Sequence, residues 1–470
     1  MKTTIAIVLA VALAAIVAAP AHADAQPSAR DIQAAVDSYL ASNQQEANLV
    51  GGPGSAGYDQ GFWIKGGDFS LKINLTLQAR YEAWVMDSAQ KNTIGNGNDV
   101  AGSLSGFSLP RATLKFSGTA PCNISYYMEL EFGHFGRDLA EEERDPQNNF
   151  DPLGPVVQSL NFDNTREAWI QWSSSDAFNF RMGQIRTATT RQAMIAPEMQ
   201  QFVDVSLATA YMGWLMPGYT DRNRDHGFAI HGAFGCNNEW SYLLTVTNGD
   251  GGDSIRNVID ARTSDNLAYS GRLNWAFLNP IGYQEGALRN STCSWYGEIG
   301  AWGYYYADRV DRAHGTVTDL LAYGVDLALG YGGFSFTAAY NAAQNEFGVL
   351  GTKVDSTAFL VQLGYHFPGS AWEIAARWDA YDSENLAGLP AVQQNPLPTG
   401  TVSEFAFGVN YYLNGHGNKL QLDVSFVSGD DPTSQLLFDP YTGYPGARDG
   451  AGRGDDSYGM LFRFQWQLAL

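Results

Sequence analysis

The sequence predicts an all-β fold: a transmembrane antiparallel β-barrel of about 16 strands, with an inserted constriction loop and a short N-terminal helix. Three observations carry that prediction. Apolar and polar residues alternate over stretches longer than an ordinary strand, such stretches recur along the chain, and the connections between them alternate between short and long. A chain of 470 residues could form two or three soluble domains or one large barrel. It is 13% aromatic, with 24 Tyr, 12 Trp and 51 Gly against 18 Pro. The mean hydropathy of −0.22 does not separate the two classes, because a membrane strand is apolar on one face only.

The first element is a targeting segment. Lys2, an apolar run from Ile5 to Ala19, Pro20 and the small-x-small triplet Ala21-His22-Ala23 read as a secretory signal peptide over 1–23. A membrane anchor helix would need about 20 apolar residues. The mature chain is then expected to begin near Asp24. A short periplasmic segment over 24–60 follows, in which Ile32, Val36, Tyr39 and Leu40 form a helical stripe. That stripe is either an oligomerising or tethering helix or a frayed leader. "GGPGSAG" (Gly51 to Gly57) reads as a flexible linker.

The barrel is expected over 61–470. From Leu71 to Met86 the pattern has period two without a break: Leu71, Ile73, Leu75, Leu77 and Ala79 share one face, and Lys72, Asn74, Thr76, Gln78 and Arg80 the other. Ordinary strands run about 5–6 residues, whereas a membrane strand needs about 9–11. "RATLKFSG", "LAYSGRLNWAFL", "STAFLVQLGYHF", "AWEIAARWDAY", "NKLQLDVSFVS" and the closing "MLFRFQWQLAL" repeat the pattern. The last of these is expected to pair with the first strand and close the barrel. Short turns such as "GHGN" alternate with the long polar stretches 135–163, 248–265, 382–400 and 429–456.

Parity assigns the faces. A lipid-facing Arg or Lys at midplane costs roughly 2–4 kcal/mol, so Arg80, Arg111, Lys115, Arg272, Arg377 and Arg463 are expected to line the pore. Glu82, Glu373, Asp379 and Asp423 follow on the same face. About sixteen strands leave a water-filled channel, where eight would be filled by side chains. The Tyr clusters at Tyr304 to Tyr306 and Tyr411–Tyr412 fit interfacial girdles, with ordinary core aromatics as the other reading.

Between Arg186 and Gly218 the strand rhythm stops. Ile195, Met199, Phe202, Val203, Met212, Trp214, Leu215 and Met216 are too apolar for a solvated loop. The segment is expected to fold into the barrel and place Arg186, Arg191 and Asp204 at a pore constriction. An extracellular lid or an oligomer contact is the alternative.

Other chemistry finds no support. The net charge of −21 argues against a nucleic-acid partner. Cys122, Cys236 and Cys293 are too few and too scattered for a disulfide framework, their pairing is open, and no CxxC or Cys/His cluster offers a metal site. "NGDGGD" (Asn248 to Asp253) reads as a solvated turn rather than a Ca²⁺ loop. There is no HExxH and no Gly-x-Ser-x-Gly elbow. No enzyme activity, metal or cofactor is expected.

"LPRATLKFSGTAPCNISYYMELEFG", "NTREAWIQWSSSDAFNFRMGQIRTATTRQAM", "QFVDVSLATAYM" and "YLLTVTNGDGG" together resemble the phosphate-selective porin O/P family. The resemblance returns at "GVNYYLNGHGNKLQLDVSFV". It implies a 16-stranded trimeric barrel in the bacterial outer membrane whose third long loop narrows the pore. It also implies that Arg186 and Arg191 occupy basic positions after Gly183 and Gln184. The implied function is passive diffusion of small polar or charged solutes, phosphate and other anions among them. Outer-membrane lipid, lipopolysaccharide and further copies of the chain are the implied partners. A plugged structural or surface barrel and a secreted soluble β-protein are the alternatives that stay open on the residues alone.

Overall fold

The computed structural model describes residues 54–86, 92–94, 98–100, 103–133, 165–216, 224–249, 266–286, 288, 294–311, 316–347, 352–384, 400–429 and 457–470. The expected signal peptide, the helix expected near 31–46, most of the expected linker and Cys293 lie outside the described residues.

Two short strands, β1 (Ser55–Tyr58) and β2 (Phe62–Gly66), form a leading hairpin, so the stretch expected as linker already contains a strand at its end. Gly61, at φ +138°, turns the chain between them, a conformation open to glycine. Next come β3 (Phe69–Met86) and a small hairpin of β4 (Asn92–Ile94) and β5 (Asn98–Val100). The wall continues with β6 (Ser103–Ala120), β7 (Ile124–Glu131), β8 (Thr165–Ser175) and β9 (Phe178–Arg186). After a long insertion come β10 (Arg224–Phe234), β11 (Trp240–Thr247), β12 (Ala268–Trp275), β13 (Tyr296–Asp311), β14 (Thr316–Tyr331) and β15 (Phe334–Phe347). The last strands are β16 (Thr352–His366), β17 (Trp372–Glu384), β18 (Gly400–Asn414), β19 (Asn418–Gly429) and β20 (Ser457–Ala469).

β3 and β6 to β20 form a closed antiparallel barrel of sixteen strands, each bonded to its neighbour in sequence. Closure is made by β20 on β3, from Gly459↔Met86 to Ala469↔Thr76. The Leu470 amide donates to the Leu75 carbonyl (2.8 Å), so backbone pairing runs to the last residue. Where β20 ends, β2 takes over the free edge of β3, from Phe62↔Ile73 to Gly66↔Phe69. Hydrocarbon offers no hydrogen bonds, so only such a closed ladder satisfies the backbone.

Side chains follow the expected parity. Leu75, Leu77, Ile170, Met182, Phe359, Leu363, Phe407 and Trp466 are exposed outward, while Gln78, Arg80, Arg463, Gln465 and Gln467 are buried inward. Two features depart from expectation. One connection on the short-turn rim, 276–295, is long, and it folds inward as far as Glu285, which is buried. Tyr304 and Tyr306 are not girdle residues: they are buried inside the barrel at 3% and 0% exposure, while Tyr305 faces out. They pack with Trp302, Leu320, Tyr381, Val402 and Leu461 around the inserted segment. Parity carried them inward because an apolar insert was there to cover them.

Removing Gln465–Leu470 should abolish closure, since β20 would lose half its ladder with β3. A heat-modifiable compact band on SDS gels, present for the full chain, is expected to vanish for the truncated one.

Candidate functional site: the inserted loop and the slot beside it

The insertion begins where β9 crowds β8. A Cβ at Gly183 (φ +139°) would lie 2.2 Å from the Ala168 carbonyl oxygen, so glycine is required there. Three short helical pieces then shape the loop. Helix α1 (Arg191–Met194) is capped by Thr190, whose hydroxyl accepts from the Ala193 amide at 3.4 Å. Pro197 opens a single 3₁₀ turn, Pro197–Met199. Helix α2 (Leu207–Leu215) starts at Ser206, whose hydroxyl accepts from the Thr209 amide at 3.1 Å. Two further first-turn amides of α2 meet wall carboxylates: Ala208 donates to Asp379 at 2.8 Å and Leu207 to Glu404 at 3.5 Å. Those carboxylates sit at the positive end of the helix dipole, where anions are stabilised. The apolar face of α2, with Leu207, Tyr211 and Met212, completes the internal core.

Wall side chains hold the rest of the loop, largely through its main chain. Lys419 donates to the Gln200 carbonyl (2.7 Å), Asn410 and Gln421 to the Gln201 carbonyl (2.8 and 3.2 Å), and Arg377 to the Asp204 carbonyl (3.0 Å). Asp423 accepts from the Val203 amide at 3.0 Å while Arg463 binds it at 2.7 and 2.8 Å. Gln201 reaches Glu373 at 2.9 Å. From below, Glu285 of the long short-rim connection accepts from Gln192 (2.7 Å) and from the Gln201 amide (3.0 Å).

Asp204 draws the expected residues together. Its two carboxylate oxygens each lie 3.3 Å from a guanidinium nitrogen, one of Arg80 and one of Arg111. Arg272 pairs with Asp326 at 2.8 Å and donates to the Thr189 carbonyl at 3.1 Å. Arg377 pairs with Glu404 at 2.9 Å and lies 4.5 Å over the Phe202 ring. All five wall arginines are thus buried against the loop with acidic partners. Arg191 lies apart, paired with Glu298 at 3.3 Å, bonded to the Gly282 carbonyl and 1% exposed. Arg186 is separate again, half-exposed, donating to Glu167 (3.0 Å) and to the Met194 carbonyl (2.6 Å).

Among the described residues, side chains on β6 to β10 beside the loop keep accessible surface. Lys115 on β6 pairs with Glu198 of the loop, and both keep accessible surface. Burial alone would push the Glu198 carboxyl up, but the Lys115 ammonium overrides it and pulls it down to about 2. Beyond that pair, Tyr127, Trp169, Gln171, Asn179, Arg181 and His231 on β7 to β10 are half-exposed. Tyr127 and Trp169 stack at 5.5 Å, and the Arg181 guanidinium lies 3.8 Å from the Trp169 ring centroid. Gln171 accepts from Arg181 Nε and Nη2 (3.1 and 2.8 Å) and meets His231 Nε2 at 2.9 Å. Arg181 has no carboxylate partner among the described residues.

The sequence reading missed Arg181, Trp169, Glu198 and Glu285. For Trp169 the signal was present: in "EAWIQW" it shares parity with Glu167 and Gln171, which places an indole in the lumen.

The family described as phosphate-selective porin O and P matches residues 75–436. No curated protein sequence matches. Among solved structures, the fold is similar to an anion-selective porin from Comamonas acidovorans, at 12% identity and TM-score 0.54, covering 85% of this chain and 100% of that one. The outer membrane channel DcaP of Acinetobacter baumannii follows at 10% identity and TM-score 0.46, covering 85% and 97%. OmpF of Salmonella typhi gives 12% and 0.47, covering 88% and 100%.

Asp204→Ala should leave the buried Arg111 guanidinium without its paired carboxylate, while Arg80 keeps Glu82 at 2.9 Å, a loss of about 3 kcal/mol. The variant is expected to unfold at lower temperature. It should also become cleavable by trypsin within the insertion, where the parent resists; limited proteolysis reads both.

Proposed function

The chain belongs to the phosphate-selective porin O and P family and is an outer-membrane channel, and from that premise we propose a narrow, weakly anion-preferring pore for small polar solutes. Solutes pass between the Lys115–Glu198 pair and the β7–β10 wall, while the inserted loop closes the rest of the lumen. One observation carries the charge preference: Arg181 is fixed by Trp169 and Gln171 yet lacks a carboxylate partner among the described residues. Elsewhere in the lumen Arg80, Arg111, Arg186, Arg272, Arg377 and Arg463 are each ion-paired with an Asp or Glu. Contact ion pairs contribute little field at a distance, and a guanidinium held by neutral groups, with no contacting carboxylate, concentrates counter-ions in the slot. Phosphate and other small anions are the solutes this favours. Arg186 lies at the root of the constriction, and Arg191 and Asp204 act by seating the loop. The work is transport rather than catalysis, and a homotrimer is the assembly that the family resemblance supports.

The test is conductance of the purified protein in a planar bilayer. Ohmic steps with a reversal potential on the anion side are expected; an inserted but silent barrel would favour a plugged structural role instead. A unit charge ~10 Å from a passing ion at water-like dielectric is worth ~0.4 kcal/mol. Arg181→Gln should therefore lower the anion/cation permeability ratio by roughly fourfold, about twofold from each ion.

Glu198→Gln should act in the opposite direction, because it frees the Lys115 charge. With its carboxyl near 2, Glu198 stays ionised down to low pH. The difference between the parent and Glu198→Gln is expected to persist from pH 8 to pH 4 and to fade only below that, as reversal potentials at several pH values would show.

A further inference from the structure

The long connection on the short-turn rim has a second face, turned outward. Together with the β10–β11 turn it encloses an outward-opening groove of about 910 Å³. Trp275, Phe277, Leu278 and Trp295 line it, with Glu239 and Asn237 on the turn side. Two aromatic pairs flank it, Trp240 on Trp275 at 5.5 Å and Trp295 on Tyr331 at 4.5 Å. The turn amide of Asn237 donates to the Glu239 carboxylate at 2.9 Å. Such amide bonds hold that carboxyl below its usual range, and among the described residues it has no cationic partner.

Two properties of the groove identify its occupant. It is continuous with the lipid-facing surface: Leu273, Leu244 and Ile299 are outward and exposed directly along the strands that lead from it. It also lies on the short-turn rim, which in an outer-membrane barrel faces the periplasmic leaflet, so a glycolipid of the outer leaflet is at the wrong height. Its chemistry is that of a cation site. A carboxylate and two indoles line it together, and indole rings attract ammonium groups and repel anions.

We propose that this groove is a binding site for one periplasmic-leaflet phospholipid whose head group carries an ammonium. The ammonium lies between Glu239 and the faces of Trp275 and Trp295, and the acyl chains run over Leu273, Leu244 and Ile299. The site is independent of the pore: it uses the outer wall, and its occupancy does not depend on which solute crosses.

The experiment uses the full chain in detergent with equimolar dioleoyl phosphatidylethanolamine and dioleoyl phosphatidylglycerol, read by native mass spectrometry. The parent is expected to keep one phosphatidylethanolamine at least several-fold more often than one phosphatidylglycerol. Glu239→Gln should retain lipid with the preference gone, and Trp275→Ala with Trp295→Ala should lose the retained lipid. Equal retention of the two lipids by the parent, or an undiminished preference in Glu239→Gln, overturns the proposal. A second measurement needs no variant. Brominated-chain phosphatidylethanolamine should quench tryptophan fluorescence at lower mole fraction than the brominated phosphatidylglycerol, and identical quenching curves would also overturn it.

Discussion

Every part of this molecule answers to one constraint: a polypeptide in hydrocarbon must satisfy its backbone hydrogen bonds from within. The sixteen-stranded ladder does so by closing β20 on β3, with pairing carried to Leu470. Where β20 runs out, the leading hairpin covers the remaining edge of β3. Side chains then have only two destinations, and a one-residue alternation separates lipid from lumen with no further instruction.

The same constraint governs the inserted segment, with a different solution. Residues 187–216 enter a barrel whose wall backbone is already paired, so wall side chains must serve the loop's main chain. Lys419, Asn410, Gln421, Arg377, Asp423, Asp379 and Glu404 do this. Charged residues that parity directs inward thereby become structural. A buried carboxylate or guanidinium is tolerable only when paired and hydrogen-bonded, and Asp204 with Arg80 and Arg111 meets that condition across loop and wall. Consequently most of the lumen's charge is internally cancelled. Accessible polar surface remains on the half-exposed strip of β6 to β10, where Lys115 faces Glu198 and Arg181 rests on Trp169.

The barrel's outer surface shows a parallel division. Aliphatic and aromatic side chains, Phe359, Trp378 and Phe407 among them, share the middle, and stacked pairs such as Trp240 with Trp275 lie at the turn rim. The long connection interrupts that rim and uses both faces: inward, Glu285 buttresses the loop, and outward, Trp275 and Trp295 bound a groove. A single insertion thus serves the loop on one side and the outer wall on the other.

By itself the sequence determined a closed barrel of about sixteen strands, the face on which most strand residues lie, and an apolar break in the strand rhythm at Arg186 to Gly218. These follow from period-two alternation, which is local and survives without knowledge of any partner. Arg80, Arg111 and Arg463 were legible as inward-facing for that reason. Only the tertiary structure decided what inward meant for each. Arg191 and Arg186 are five residues apart, yet one is sealed beneath the loop and the other borders the slot. Tyr304 and Tyr306 look like interfacial tyrosines until α2 is placed against them. Arg181 has no distinguishing spacing at all; its lack of a carboxylate among the described residues depends on which strands are neighbours and where the loop's acids fall. Alternation fixes a direction, but pairing depends on contacts between residues far apart in the chain, and those exist only once the barrel has closed.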